Sequence, residues 1–433
     1  MSDPADVNGW APPDSGTASP SPDRAPQQPP SQPTQYPQPY GQPYAGQAQP
    51  YAEQPQPYAG QAQPYAGQPQ PYETPYGDLP QAYGGPVYPG YDPPVKRSWA
   101  VPPRDGVRYH QVARNEVHRW WRPLVGSVLI VLAALGAMIG LMVIGAIVYS
   151  LVNGGVYEPS GDGLFGDDTA DLAFQLGSLA ILLPLVPLAA FCVQRRRPGT
   201  VSSVTGRLRW KWLLGCCGVA IAFCVVSVAC SWAASLVVTD PDPAKTPEKW
   251  VGWDDFLLPA VIIIVLVPFQ AAAEEYIFRG WLLQAIGSWT LETRTGKAGR
   301  AFSVIFRTPW PGIVIGGALF TAGHGYTSWG VLDVFLFGAI LGWLVVRTGG
   351  LEAAIAVHVF NNLMAFLLPA AIGKLDIEQG SVPWQYVVAD VAPMLLYAVV
   401  IVWMVRRFKV QTTTASPVEE SDPSPFTPEV IGR

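Results

Sequence analysis

The chain has 433 residues, 49% of them hydrophobic and only 14% charged, where a soluble domain carries about a quarter charged residues. That deficit excludes an ordinary water-soluble globule. The lack of a basic tract with interleaved aromatics excludes an implied nucleic-acid partner. The net charge of −5 is informative only when its sign is followed loop by loop.

The first 100 residues are dominated by Pro, Gln, Tyr, Ala and Gly, and a seven-residue unit of the form QPYAGQA sets Tyr44, Tyr51, Tyr58, Tyr65 and Tyr72 in register. Every unit contains proline, which forbids a continuous helix, so the period is not a coiled-coil heptad. With few branched apolar residues to bury, residues 1–100 are expected to form a disordered cytoplasmic tail, a spacer or weak self-association element. A juxtamembrane segment (101–122), a membrane bundle (123–408) and a second disordered tail (409–433) follow. Met1–Pro30 is polar and proline-rich rather than a signal peptide, so the first apolar run is expected to serve as an uncleaved insertion signal.

The predicted fold class is an all-α membrane protein of about eight transmembrane helices. The apolar runs lie near 123–152, 171–194, 211–238, 256–287, 311–328, 331–346, 350–371 and 386–405. Most reach the ~20 residues that cross a bilayer, the run at 331–346 being short. Arg114, Arg119 and Arg122 precede the first run; Arg195, Arg196, Arg197, Arg207, Arg209 and Lys211 follow the second. Arg294, Lys297, Arg300 and Arg307 follow the fourth, Arg347 the sixth, and Arg406, Arg407 and Lys409 the eighth. The intervening loops carry Asp162, Asp167, Asp168, Asp240, Asp242, Asp254 and Asp255. This alternation places both termini in the cytoplasm. Five cysteines lie inside apolar runs without zinc-type spacing and read as packable membrane residues. The spacings Gly136/Gly140, Gly312/Gly316 and Gly338/Gly342 imply close helix packing.

Ionisable groups at membrane depth are costly and mark function by default. Of four histidines, His110 and His118 are juxtamembrane and expected to be solvated, whereas His324 and His358 fall inside predicted spans. The fourth run contains Glu274, Glu275 and Arg279. Glu275 and Arg279 are four apart and can pair as a brace. Glu274 is rotated about 100° from Glu275 and is left as the free carboxylate, suited to a general base. His358 and Asn362 are stacked on one face, a plausible donor pair for an oxyanion. At ~1.5 Å per residue, Glu274, His324 and His358 come to overlapping depths, so one site in the cytoplasmic half is feasible. Asp333 and Glu352 are expected near helix ends, reaching the interface, with Asp390 marking the outer end of the last span.

Three motifs, EExxxR at Glu274–Arg279, FxxxH at Phe320–His324 and HxxxN at His358–Asn362, occur in order on separate runs. In this the chain resembles the CPBP intramembrane proteases, which include CAAX prenyl endopeptidases and bacterial Abi (bacteriocin-processing or self-immunity) proteins. The resemblance implies a protease core at about 256–371, acting on a lipid-modified or membrane-embedded peptide. It implies that Glu274 with His324 activates water, that His358 and Asn362 stabilise the oxyanion, and that Glu275 and Arg279 support the site. Two mechanisms stand open: a metal-free glutamate base, or a divalent ion such as zinc held by Glu274, His324 and His358. A proton-coupled transporter and a catalytically silent scaffold are the competing functions; the transporter would show internal repeats with broken helices.

Overall fold

The structure, a computed structural model, describes residues 98–155, 157, 163–238, 249–289, 296–376 and 379–415. The tyrosine-repeat tail and most of the polar C-terminal segment lie outside the described residues.

Hydrocarbon offers no partner for a bare peptide group, so apolar runs that enter it fold as helices satisfying their own N–H and C=O groups. The described residues contain helices and no strands. Helix α1 covers Trp121–Asn153. Helices α2 (Asp168–Ala180) and α3 (Leu185–Cys192) form one span broken at Pro184. Helix α4 covers Trp210–Ser235. Helix α5 (Trp253–Glu275) continues through a π-helical turn, Tyr276–Leu282, into α6 (Leu283–Gly287), making a 35-residue span. Helices α7 (Lys297–Arg307) and α8 (Trp310–Ala322) are bent 67° against each other. Helices α9 (Trp329–Thr348), α10 (Glu352–Ala370) and α11 (Trp384–Arg407) complete the bundle.

Seven spans are long and apolar enough to cross a membrane, and the bent pair would make an eighth. The flanks decide the parity. Backbone Gly106 N–H donates to the Thr414 carbonyl (3.2 Å), and Thr414 N–H donates to the Val107 carbonyl (3.0 Å). The segments before α1 and after α11 therefore lie on one face, which requires an even number of crossings. Helix α8 must cross, although its 13 residues rise only ~20 Å; the loop after it completes the passage.

The same face gathers the α3–α4 loop and the α9–α10 turn, joined by Val204 N–H to the Gly349 carbonyl (2.9 Å) and Leu351 N–H to the Ser202 carbonyl (2.9 Å). The opposite face holds the α8–α9 and α10–α11 loops, joined by Thr327 N–H to the Gly380 carbonyl (3.1 Å). Charge segregates accordingly. Arg195, Arg197, Arg207, Lys211, Arg406 and Lys409 belong to the first face, and Asp167, Asp168, Asp254 and Asp255, with Lys249 and Lys374, to the second. Six helices open on an exposed tryptophan. Trp121, Trp210 and Trp310 lie toward the first face and Trp253, Trp329 and Trp384 toward the second, as amphipathic rings placed at both interfaces would.

Helix α10 occupies the centre, packed by α4, α5 and α9, while α11 closes on α4 and α9. Its first turns are buried alanines and branched residues (Ala353, Ala354, Ala356, Val357), and Tyr397 of α11 donates its hydroxyl to the Ala353 carbonyl (2.8 Å). Small residues let α8 approach α9 and α6: a methyl group added at Gly338 would fall 3.2 Å from the Gly317 Cα, and one at Gly312 would fall 3.2 Å from the Leu283 carbonyl oxygen. Gly136 and Gly140 depart from the expectation. Nothing lies within 4 Å of either added methyl, because α1 stands at the periphery and turns that side away from the bundle.

Three polar readings change. Glu352 does not reach the interface; it is fully buried and gripped by Arg209, with Nε to Oε1 at 2.8 Å and Nη2 to Oε2 at 2.7 Å. Arg196 is not a solvated loop charge but is buried, donating to Gln194 Oε1 (2.6 Å) and Gln284 Oε1 (2.6 Å). His110 is 2% exposed rather than solvated, because the turn Tyr109–Gln111 is pressed against the end of α6, where Gly287 leaves room for the His110 carbonyl. Its Nε2 donates to the Arg307 carbonyl (3.0 Å).

Burial holds His110 below its ordinary pKa of 6.5. Burial first, then Arg114 and Arg122, lowers His118 to about 4. Both imidazoles take up protons more readily in the unfolded chain than in the folded one. The stability they contribute is full above pH 6.5 and is lost as pH falls toward 4. The unfolding temperature in detergent is expected to drop across that interval, and His118→Gln should flatten part of the slope. An unchanged slope would remove His118 from the account.

Candidate active site

Helix α5 carries Pro259 and Pro268 in its interior and then gives way to the π turn. Such turns are often found where a functional side chain must be re-aimed. Between proline and turn lie Gln270, Glu274 and Glu275, all buried. Gln270 and Glu274 are four residues apart and share a face; Gln270 Nε2 donates to Glu274 Oε1 at 2.7 Å. Glu274 Oε2 is buried without a hydrogen-bond partner among the described residues and lies 3.4 Å from His358 Nε2.

Glu275 meets the other nitrogen of the same imidazole. It is fully buried, and its Oε1 receives Arg279 Nη1 (3.0 Å) and His358 Nδ1 (2.7 Å). The Arg279 guanidinium is stacked 4.2 Å from the Phe320 ring centroid. Both ring nitrogens of His358 thus face carboxylate oxygens, which accept hydrogen bonds but cannot donate them. Four side chains from α5, the π turn and α10 are thereby fixed in one charged constellation inside an apolar shell.

One turn further along α10, Asn362 Nδ2 donates to Gln270 Oε1 at 3.1 Å. His324 was expected within a span, but the helix ends at Ala322, and Gly323 and Gly325 flank the histidine in the loop. The apolar run continues past the glycines, which is why the helix end was not visible in it. His324 Nδ1 donates to the Phe320 carbonyl (2.8 Å), leaving Nε2 free to act elsewhere. Phe320 touches both imidazoles, with ring centroids 4.5 Å from His324 and 5.9 Å from His358.

Gln270, Glu274, His324, His358, Asn361 and Asn362 line one cavity of about 910 Å³. Leu176 and Leu179 of α2 and Phe223 and Trp232 of α4 supply its apolar wall. The cavity also reaches Asp333 and Asp390. They sit near the second-face ends of α9 and α11 as expected, but they face this interior rather than the interface. Gln270 was missed. Its signal was a lone amide in an apolar run, one turn before Glu274.

Among the described residues no three His, Cys, Asp or Glu side chains converge on a position that could hold a metal ion. The set Glu274, His324 and His358 does not fit a bound divalent ion in this arrangement.

Compared with known proteins, residues 256–364 match the family model described as type II CAAX prenyl endopeptidase Rce1-like. The uncharacterized protein YyaK of Bacillus subtilis (strain 168) is 25% identical over 297 residues, covering 63% of this chain and 90% of that protein. No solved structure matches the chain. The three motifs all fall inside the matched segment, so the core of this multi-pass membrane protein is similar to the Rce1-like CAAX prenyl endopeptidase model of the CPBP family, a family of peptidases.

Proposed function

We propose that the chain is an intramembrane endopeptidase that hydrolyses a peptide bond in a lipid-modified or membrane-embedded substrate. The observation that carries the reading is the unpartnered Oε2 of Glu274 at the cavity wall, beside His358 Nε2. In this mechanism Glu274 takes a proton from water as the hydroxide oxygen attacks the scissile carbonyl. The carbonyl π electrons move to oxygen, and the resulting oxyanion is received by His358 Nε2–H and by the second amide proton of Asn362. Glu274 then returns its proton to the leaving amine as the C–N bond breaks. His324, with Nε2 free, orients the water. Glu275 and Arg279 hold the His358 ring in the aspect that exposes Nε2.

The apolar wall from α2 and α4 supports a substrate that arrives from the bilayer. The basic first face supports a cytoplasmic location for both termini. The site lies nearer that face, since Glu274 is 13 residues before Gly287 and His358 six after Glu352. Nothing in the cavity demands a prenyl group, so the substrate class is the broader one.

The test is cleavage in liposomes of a quenched prenylated peptide and of a mixed panel of membrane-protein substrates, with and without chelator. Wild-type cleavage that survives chelator and is lost in His358→Ala is expected. Activity retained in His358→Ala would remove the oxyanion role, and wild-type protein inert toward every substrate would sink the reading.

A further inference from the structure

We propose that Gln270 is a positioning residue that sets the geometry of the base and of the oxyanion donor together, an inference that rests on the endopeptidase reading above. A carboxamide carries a donor and an acceptor on one planar group, and here both are used across two helices. Its Nε2 gives a proton to Glu274 Oε1 at 2.7 Å on α5, and its Oε1 takes one from Asn362 Nδ2 at 3.1 Å on α10. The side chain is 4% exposed, so little bulk water competes for either bond.

Two consequences follow for the reaction. With Oε1 of Glu274 occupied, Oε2 is left as the basic oxygen, and it is the oxygen that faces His358 at 3.4 Å. With one amide proton of Asn362 tied back to α5, the carboxamide plane is fixed and the other proton is available to the cavity. A displacement of about 1 Å in such groups can cost about 100-fold in rate. Gln270 lies outside the EExxxR, FxxxH and HxxxN patterns, yet it bonds to a member of the first and a member of the third.

The experiment compares wild type, Gln270→Leu and Gln270→Glu in the liposome assay, fitting kcat and KM across pH. Leucine fills similar space without either bond. It is expected to lower kcat about 10- to 100-fold while leaving KM within about threefold. Glutamate is isosteric, and only its protonated form can both donate to Glu274 and accept from Asn362. Its deficit relative to wild type should therefore shrink at least about tenfold between roughly pH 8 and pH 5.5, a recovery that mere packing would not give. Wild-type kcat in both variants, or a Gln270→Glu deficit that ignores pH, would overturn the proposal.

If wild-type protein cleaves nothing, the endopeptidase reading has failed, and the tether is judged separately by labelling Glu274 with a hydrophobic carbodiimide. A labelling rate changed about threefold or more in Gln270→Leu would uphold the tether, by the same logic of a lost carboxylate hydrogen bond; an unchanged rate would overturn it.

Discussion

Glu274→Gln is expected to reduce cleavage by at least about 10³-fold, within the range that a general base contributes. The substitution preserves volume and can keep a hydrogen bond to Gln270, but it removes the basic oxygen that faces His358 Nε2. Because Glu275 and Arg279 remain paired at 3.0 Å behind the site, the variant should fold and retain its unfolding temperature within a few degrees of wild type. Loss of activity with an intact fold assigns the effect to chemistry. Comparable losses of both would show that Glu274 serves the structure first, and retained cleavage would move the base elsewhere.

The second large effect concerns stability. Arg209→Leu leaves the carboxylate of Glu352, fully buried, with the Arg209 backbone N–H (2.9 Å) as its remaining described hydrogen bond. Removing one partner of a buried pair typically costs about 3–5 kcal/mol, whereas replacing both by apolar groups is often nearly neutral. The single variant should therefore unfold at a markedly lower temperature in detergent, and Arg209→Leu/Glu352→Leu should recover more than half of the loss. Recovery would be incomplete, since Arg209 also binds the Thr348 and Gln411 carbonyls (3.2 and 2.9 Å). Additive losses in the double variant would show that the two residues act independently.

The spans were legible because bilayer hydrocarbon imposes a length and a polarity that composition alone reveals; α4, the span from α5 through α6, α10 and α11 lie within a few residues of the expected runs. The run at 331–346 proved longer, as a full 20-residue helix. What could not be read was where an apolar run stops being helical. Gly323 and Gly325 end α8 early and put His324 in a loop, while hydropathy continues unbroken through Phe320 and Ala322. Side-chain partners across helices were equally hidden. Glu275 was legible as the partner of Arg279 from their spacing, but its contact with His358 joins residues 83 apart in sequence. Gln270 lacks a charge to draw attention, although its i,i+4 relation to Glu274 was visible. Glu352 reads as an interfacial residue because its partner, Arg209, lies 143 residues earlier in the chain, just before α4. His110 likewise looked solvated until Gly287 was seen to make room for it.

The bonds between Gly106, Val107 and Thr414 mean that the membrane unit nearly closes on itself as a ring of helices. A short covalent link between those two points would join the ends without moving any span, and the ring could then be cut at a connection on the other face, such as the one between α1 and α2. The resulting circular permutant would begin at α2 and finish with α1. Both of its ends would emerge on the opposite side of the bilayer, while every helix kept its direction of crossing. Sidedness of the termini is therefore a property of where the chain is opened, and sidedness of the site is a property of the bundle.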